Sequence, residues 1–169
     1  MDGLTCFWTY EGLTRKLITK VKYNFYFDYL REFIILNSEL LKRTEFTYFN
    51  RYLELKPAAV PIPLFEKRLK ERGFNQAEVI AKTLEKQWGL DTNNLLVRVK
   101  DTGRQVGRTR EERLKAMEGA FEINHKSQIS NDKVLLVDDV WTTGATMREA
   151  AKVLKQTGTR RVWGLVLAR

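Results

Sequence analysis

The sequence has one cysteine, three prolines and no apolar run long enough to cross a membrane. With Cys6 alone, the 169-residue chain has neither an internal disulfide nor a cysteine-rich zinc site, which favours a reducing compartment. The longest nearly apolar stretch, residues 33–36, falls far short of the roughly 18 residues that a spanning helix needs. The first four residues lack the pattern of a secretory signal, so we expect a cytoplasmic protein.

Acidic residues are fewer than basic ones: the chain has 21 Asp and Glu and 30 Lys and Arg, which gives a formal net charge of +9. A protein with this positive net charge attracts phosphates, nucleotides and nucleic acids, and the net charge alone does not distinguish among these ligands. Hydrophobic residues make up 43% of the chain, which excludes a disordered or fibrous protein. The length and composition therefore predict one folded domain of ordinary size.

The hydrophobic pattern changes near residue 57. Before it, helical spacing predicts two helices, one around Ile18 and one that includes Tyr29, Leu30 and Phe33. After it, short apolar runs alternate with helical segments, which is typical of α/β proteins with a largely parallel sheet. We expect a helical portion over 1–56 and an α/β core over 57–169, both within one unit. The predicted strands lie at 58–64, 95–99, 134–137 and 161–167, and the main helices at 74–88 and 146–156.

Residues 134–146 combine a buried strand, two acids and a turn of small residues. Asp138 and Asp139 follow four apolar residues, and a Thr-Thr-Gly-Ala-Thr turn then leads into a helix. Ligands bind outside the carboxyl ends of strands in open α/β sheets, and such a turn at a helix N-terminus favours an anion. Because two carboxylates repel a phosphate at close range, we expect them to face the hydroxyls of a ribose 5-phosphate. The alternative is a pair of solvated strand-end acids with Thr142 as a helix cap.

The same segment resembles the 5-phosphoribosyl 1-pyrophosphate (PRPP) signature of type I phosphoribosyltransferases. Further segments are similar to the ComF (ComFC) family, phosphoribosyltransferase-like proteins linked to competence and DNA uptake. They are Pro-Ile-Pro-Leu at 61–64, Arg-Gly-Phe-Asn-Gln at 72–76, Arg-Gln at 104–105, Glu-Arg at 112–113, Gly-Ala-Phe at 119–121 and Leu-Ala-Arg at 167–169. The resemblance covers about residues 10–169 and implies a type I phosphoribosyltransferase-like fold, a mostly parallel sheet flanked by helices with a hood-like N-terminal portion.

This chain departs from the family pattern at two points. Many members begin with a four-cysteine zinc ribbon, so we expect the chain to lack that module or to start after it, and we predict no zinc. Members usually carry Asn-Val after the Glu-Arg pair, where this chain has Ala116 and Met117. The turn of small residues, in contrast, is intact.

The resemblance implies a role for each residue of the signature. Asp138 and Asp139 would contact O2 and O3 of the ribose as the catalytic acids, and would hold magnesium indirectly through the substrate. The implied reaction displaces pyrophosphate at C1 of PRPP by an acceptor that the sequence does not identify. The residues that would bind the 5-phosphate are Thr142, Thr143, Gly144, Ala145 and Thr146.

Two basic segments are candidates for contacts with the pyrophosphate. The first follows the strand at 58–64, although residues 64–70 alternatively form a helix whose charges face solvent. The second, 98–115, is a candidate lid that would keep water from a cation-like sugar, or alternatively a solvated basic loop. The candidate residues are Lys67, Arg68 and Arg72 in the first segment and Arg104, Arg108 and Arg110 in the second.

Three functions are compatible with the sequence. One is an enzyme that transfers a phosphoribosyl group from PRPP. Another is a non-catalytic competence protein that binds single-stranded DNA or a DNA-uptake helicase, for which Tyr23, Phe25 and Tyr26 either form stacking platforms or pack as helix core. The last is a sensor of PRPP or of a nucleotide that contains ribose 5-phosphate. The oligomeric state is open, with a homodimer among the options.

Overall fold

The computed structural model describes residues 1–24, 28, 31–32, 34–35, 38–103, 109–127 and 132–169. The strands are β1 (Gly3–Trp8), β2 (Ala58–Pro61), β3 (Leu96–Arg98), β4 (Phe121–Ile123), β5 (Lys133–Val140) and β6 (Arg161–Ala168). The helices are α1 (Gly12–Asn24), α2 (Thr47–Leu53), α3 (Glu66–Arg72), α4 (Gln76–Trp88), α5 (Arg110–Met117) and α6 (Ala145–Gln156), with 3-10 turns at Ser38–Lys42 and Thr44–Phe46. Predictions that concern the side chain of Tyr23 or residues Phe25, Tyr26, Tyr29, Leu30, Phe33, Arg104 and Arg108 lie outside the described residues.

Four parallel strands form the central sheet in the order β1-β6-β5-β2. Their carboxyl ends therefore lie at the same edge of the sheet, which is where α/β proteins bind ligands. The predicted α/β class with a mostly parallel sheet is confirmed. The prediction that the strand near 95–99 belongs to this sheet is wrong, because β3 pairs antiparallel with β4 in a separate two-stranded sheet.

The middle strand β5 is buried on both faces, which explains its run of four apolar residues. Its side chains alternate between two layers of helices, as the pleat of a strand requires. Leu135 and Val137 pack in the cluster that includes α4, whereas Val134 and Leu136 pack in the cluster that includes α6. The alternation fixes which way β5 faces, and with it the place where Asp138 and Asp139 emerge.

The N-terminal segment contains a strand that the sequence pattern did not predict. We expected only helices before residue 57, whereas β1 forms an edge of the main sheet, parallel to β6. Asp2 anchors it, because its carboxylate accepts hydrogen bonds from the Val162 amide at 2.7 Å and from Nζ of Lys155 at 2.8 Å. The first residues of the chain therefore belong to the central sheet of the core.

The helices at 74–88 and 146–156 are confirmed as α4 and α6, and the first N-terminal helix as α1. Helix α5 begins inside the segment predicted as a lid, 98–115, and extends two residues beyond it. It begins with a capping box, in which Thr109 and Glu112 each bond the other's backbone N–H. Within the described ranges, no helix has both the length and the apolar character needed to span a membrane.

Candidate ligand-binding site

A cavity of about 450 Å³ opens where β2 and β5 end. Asp138 and Asp139 line it, together with Thr142 and Thr146 from the turn that follows them. Both acids are half-buried, and Oδ1 of Asp138 accepts a hydrogen bond from the backbone N–H of Asp139 at 2.9 Å. The structure thus brings the acid pair and the threonine turn together in one concave site.

The turn itself depends on Gly144, which precedes α6 with a φ of 76° in the left-handed region. A Cβ at this position would lie 2.5 Å from Cη2 of Trp141 and closer still to Cζ2, so the indole ring covers the glycine. The same ring lies 5.7 Å from the guanidinium carbon of Arg148. Thr143, Gly144 and Ala145 do not line the cavity with the two flanking threonines. Trp141 therefore packs on the turn and constrains its backbone.

Five arginines surround the two aspartates in the cavity lining, which makes the site strongly positive. Arg68 and Arg72 are among them, as the sequence predicted, because they are four residues apart on α3 and share one face of that helix. Lys67 and Arg110 are exposed and do not line the cavity. The sequence-based choice omitted Arg15, Arg98 and Arg113.

Arg98, the last residue of β3, is the most enclosed of these cations. Its Nη2 donates a hydrogen bond to the Thr102 hydroxyl at 2.6 Å, and its guanidinium lies 5.6 Å from the centre of the Phe121 ring. Burial lowers the pKa of Arg98, the neighbouring Arg68 lowers it further, and Asp138 opposes both. Arg98 thus interacts electrostatically with Asp138 and with the arginines of α3.

The two ends of the predicted lid are attached to the site. At its start, Arg68 donates a hydrogen bond to the backbone carbonyl of Gly103. At its end, Nη1 of Arg113 donates to the hydroxyl of Thr142 at 3.3 Å, which joins α5 to the threonine turn. These two hydrogen bonds therefore connect Gly103 to α3 and helix α5 to the threonine turn.

Gln76, the first residue of α4, places an amide in the lining. Its Oε1 accepts a hydrogen bond from Nη1 of Arg72 at 3.2 Å, and the residue is only 4% exposed. The preceding Asn75 caps the helix by accepting from the Ala77 amide, and its Nδ2 donates to the Ile62 carbonyl at 2.9 Å. Asn75 therefore bonds to the loop backbone, and its contacts fix α4 against the end of β2.

Weak sequence signals existed for the residues that were missed. Arg113 and Gln76 lie in segments that carry the family resemblance. Arg98 lies between Val97 and Val99, which are exposed while the arginine is largely buried, so the usual alternation is inverted. Such an inversion in a short strand indicates a charged side chain that faces a cavity.

The other reactive side chains singled out in the sequence lie away from this site. His125 is exposed in a turn, as expected. Burial raises the pKa of the Cys6 thiol, whose Sγ donates to the Trp8 carbonyl at 3.0 Å, so it is a poor nucleophile. In the described part of the chain, no three His, Cys, Asp or Glu side chains cluster to hold a metal ion.

Comparison with known proteins places this geometry in a family. Residues 69–169 match the phosphoribosyl transferase domain. Competence protein F of Haemophilus influenzae is 37% identical over 120 residues, which cover 69% of this chain and 52% of that protein. Competence protein ComFC of Bacillus subtilis is 28% identical over 151 residues, covering 89% of this chain and 57% of that protein.

DNA utilization protein YhgH of Escherichia coli K12 is 29% identical over 119 residues, covering 67% of this chain and 50% of that protein. The chain thus spans about half the length of the curated relatives it matches. The domain match includes the acid pair, the threonine turn and most of the cavity arginines. The chain therefore belongs to the ComF family of proteins with a type I phosphoribosyltransferase-like fold.

Proposed function

We propose that the cavity binds PRPP and supports transfer of its phosphoribosyl group to an acceptor. The observation that carries this proposal is the joint lining of one cavity by an acid pair, a threonine turn and a set of arginines. The turn follows β5 and the arginines of α3 follow β2, and these two strands are neighbours in the sheet. The acid pair lies between the threonine turn and the arginines of α3 along the chain of contacts that we propose. A ligand that carries a diol between two anionic groups, as PRPP does, matches this arrangement.

Each part of PRPP has a matching group in the lining. Thr142 and Thr146 suit the 5-phosphate, because hydroxyls and a helix N-terminus favour an anion. Asp138 and Asp139 suit the ribose hydroxyls as acceptors. Arg68 and Arg72 suit the pyrophosphate, since guanidinium groups bind phosphate oxygens in pairs. In the transfer, the bond from C1 to the pyrophosphate breaks, the pyrophosphate leaves with the electron pair, and the acceptor bonds to C1.

Magnesium fits this site only in company with the ligand. Asp138 and Asp139 offer two adjacent carboxylates, and the described residues provide no larger cluster of metal ligands. Mg²⁺ commonly binds one or two carboxylates together with substrate phosphates and keeps several waters. The acid pair would hold the ion indirectly, through the ribose hydroxyls of the substrate, and the ion would neutralise charge on the pyrophosphate.

Calorimetric titration with PRPP, in the presence and absence of magnesium, tests the proposal. We expect saturable binding that Asp138→Asn and Asp139→Asn each weaken at least about tenfold, because an amide accepts poorly where a carboxylate receives two hydroxyls. Asp91→Asn, an exposed aspartate outside the cavity, is the matched control. Equal affinity in all four proteins would refute the site. A screen of nucleobases for pyrophosphate release then distinguishes an enzyme from a PRPP sensor.

A role in DNA handling is the second candidate, and the names of the relatives favour it: competence protein and DNA utilization protein. The net charge of +9 suits single-stranded DNA. Fluorescence anisotropy with a labelled oligonucleotide at several salt concentrations tests it. We expect the two Asp→Asn variants to bind DNA with unchanged affinity and salt dependence, because DNA would use the basic surface outside the cavity.

A further inference from the structure

A groove of about 570 Å³ lies along the outer side of β1, the edge strand of the main sheet. Four consecutive residues of the strand, 3–6, line it together with Trp163 of β6. The rest of the lining comes from the second 3-10 turn and from the start of α2: Glu45, Phe46, Tyr48 and Phe49. In the part of the chain that the structure describes, β1 pairs with β6 alone. The groove therefore lies where a further strand could add to the sheet.

The backbone groups of every second residue of β1 point toward this groove. The carbonyl of Trp8 accepts a hydrogen bond from the Arg169 amide at 2.9 Å, so the backbone of Trp8 faces β6. Because backbone groups alternate in direction along a strand, the other even-numbered residues of β1 face β6 as well. The N–H and C=O groups of Gly3, Thr5 and Phe7 are therefore directed outward. Each of these residues offers one donor and one acceptor to a strand that binds in the groove.

The edge of β1 lacks the charged residues and prolines that commonly protect edge strands from pairing. Its sequence is Gly-Leu-Thr-Cys-Phe-Trp, which has no charge and no proline, although 30% of the chain is charged. Among the described residues that line the groove, only Glu45 is charged. The positive charge of the protein, which would repel a second copy elsewhere, is therefore absent from this surface.

The outward residues are self-complementary in an antiparallel pair. When two copies of β1 pair about a two-fold axis at Thr5, this residue faces Thr5 of the second copy, and Gly3 faces Phe7 of the second copy. Threonine pairs and an aromatic ring opposite a glycine are favourable cross-strand neighbours. The Trp163 ring covers Gly3, since a Cβ there would lie 2.5 Å from three of its atoms. Phe7 of the second copy would therefore pack beside this ring.

We propose that β1 is a homodimer interface, in which the β1 strands of two copies pair antiparallel and join two four-stranded sheets into one of eight strands. A second copy suits this edge because each cross-strand pair between residues 3 and 7 is uncharged and each outward backbone group finds its partner. Tyr48, which is 75% exposed beside the groove, would be covered by the second copy. The two ligand cavities would lie at opposite edges of the joined sheet, so the dimer does not depend on the proposed function.

Sedimentation velocity between about 1 and 200 µM protein measures this association. Because the pairing of single edge strands buries a small area, we expect a reversible dimer with a dissociation constant on the order of 10 µM. Tyr48→Lys should raise this constant at least about tenfold, because it removes an interface aromatic and brings like charges together. Leu13→Lys is the matched control, since Leu13 is 84% exposed and lies outside the groove, and it should change the constant less than about twofold.

Disulfide formation tests the register of the pair. With Thr5 at the axis, residue 4 of one copy faces Cys6 of the other, so Leu4→Cys should give a linked dimer when diamide takes up the two thiol hydrogens. Leu13→Cys is the control and should stay unlinked. Thermal midpoints identify a variant that does not fold, and Tyr48→Lys then decides alone. A protein that is monomeric at every concentration overturns the proposal and leaves PRPP binding untouched. A dimer that Tyr48→Lys does not weaken uses another surface, and it also overturns the proposal.

Discussion

Replacement of Gly144 by alanine tests the contact between the threonine turn and Trp141. The substitution has two separate costs. The left-handed φ of 76° disfavours any residue with a Cβ by about 1 kcal/mol. The new Cβ would also lie 2.5 Å or less from atoms of the Trp141 ring, and overpacking of that kind costs about 1–3 kcal/mol. We expect Gly144→Ala to lower the free energy of unfolding by about 2–4 kcal/mol.

Gly89→Ala separates the two costs. Gly89 also has a positive φ, of 64°, but an added Cβ there would meet nothing within 4 Å. This control should lose only the backbone contribution of about 1 kcal/mol, measured by urea denaturation. In a Trp141→Ala background, Gly144→Ala should also cost only about 1 kcal/mol, because the clash is gone.

The same substitution should also change the affinity for ribose 5-phosphate. Because Trp141 packs on the turn, a displaced ring would shift the turn, and Gly144→Ala should weaken binding while Gly89→Ala leaves it unchanged. The reasoning fails if both glycine variants lose equal stability, or if the excess cost of Gly144→Ala persists without the indole ring.

Two further predictions concern the framework that supports the cavity. Tyr52→Phe removes a buried hydroxyl that donates to the carbonyls of Val134 at 2.9 Å and Arg161 at 3.2 Å. It should lower the free energy of unfolding by about 1–3 kcal/mol in urea with no change in PRPP affinity. Burial acts to raise the pKa of Asp2, but the hydrogen bonds from Lys155 and the Val162 amide outweigh it and lower this pKa below 3.8. The ionised Asp2 carboxylate therefore stabilises the fold above pH 3.8, and this stabilisation is lost as the pH falls through the lowered pKa. We expect the difference in free energy of unfolding between the unaltered protein and Asp2→Asn to shrink when it is measured from pH 6 down to pH 2.

The central βα unit could be predicted from the sequence because local and tertiary preferences agree there. Four apolar residues can only be accommodated in a strand buried on both faces, and the Thr-Thr-Gly-Ala-Thr turn leads directly into an amphipathic helix. The same agreement holds for α4, where Asn75 caps the helix and Gly89 ends it. In both cases, the residues that determine the structure are neighbours in the chain.

Elements that depend on distant partners could not be predicted in this way. The edge strand β1 is stabilised by bonds from Asp2 to Lys155 and Val162, which are more than 150 residues away in sequence. Helix α5 is an exception, because its capping box at Thr109 and Glu112 is a local sequence signal for a helix, although the segment was interpreted as a basic lid. A window of sequence around β1 contained no comparable signal.

The acid pair and the threonine turn were found because they are contiguous, whereas the arginines of the cavity come from several elements. Arg98 enters at the end of β3, Arg113 from α5, and Arg15 from α1. A chain with 30 Lys and Arg offers many candidates, and sequence alone does not show which of them face inward. Lys67 and Arg110 are exposed outside the cavity, whereas Arg68 and Arg113, on the same two helices, line it.

The cavity lining contributes less to the stability of the fold than the apolar core does. Elsewhere the apolar residues of β5 and of the helix faces that pack on it are buried, whereas the cavity lining brings together Arg68, Arg72 and Arg98, whose like charges repel. This repulsion costs stability in the protein alone, and a polyanion would relieve it. Under the proposed function, part of the binding free energy of PRPP then comes from removing unfavourable terms of the ligand-free protein. A ligand that lacks the pyrophosphate would leave the repulsion among these arginines in place, so we expect the same charges that weaken the empty site to favour PRPP over ribose 5-phosphate.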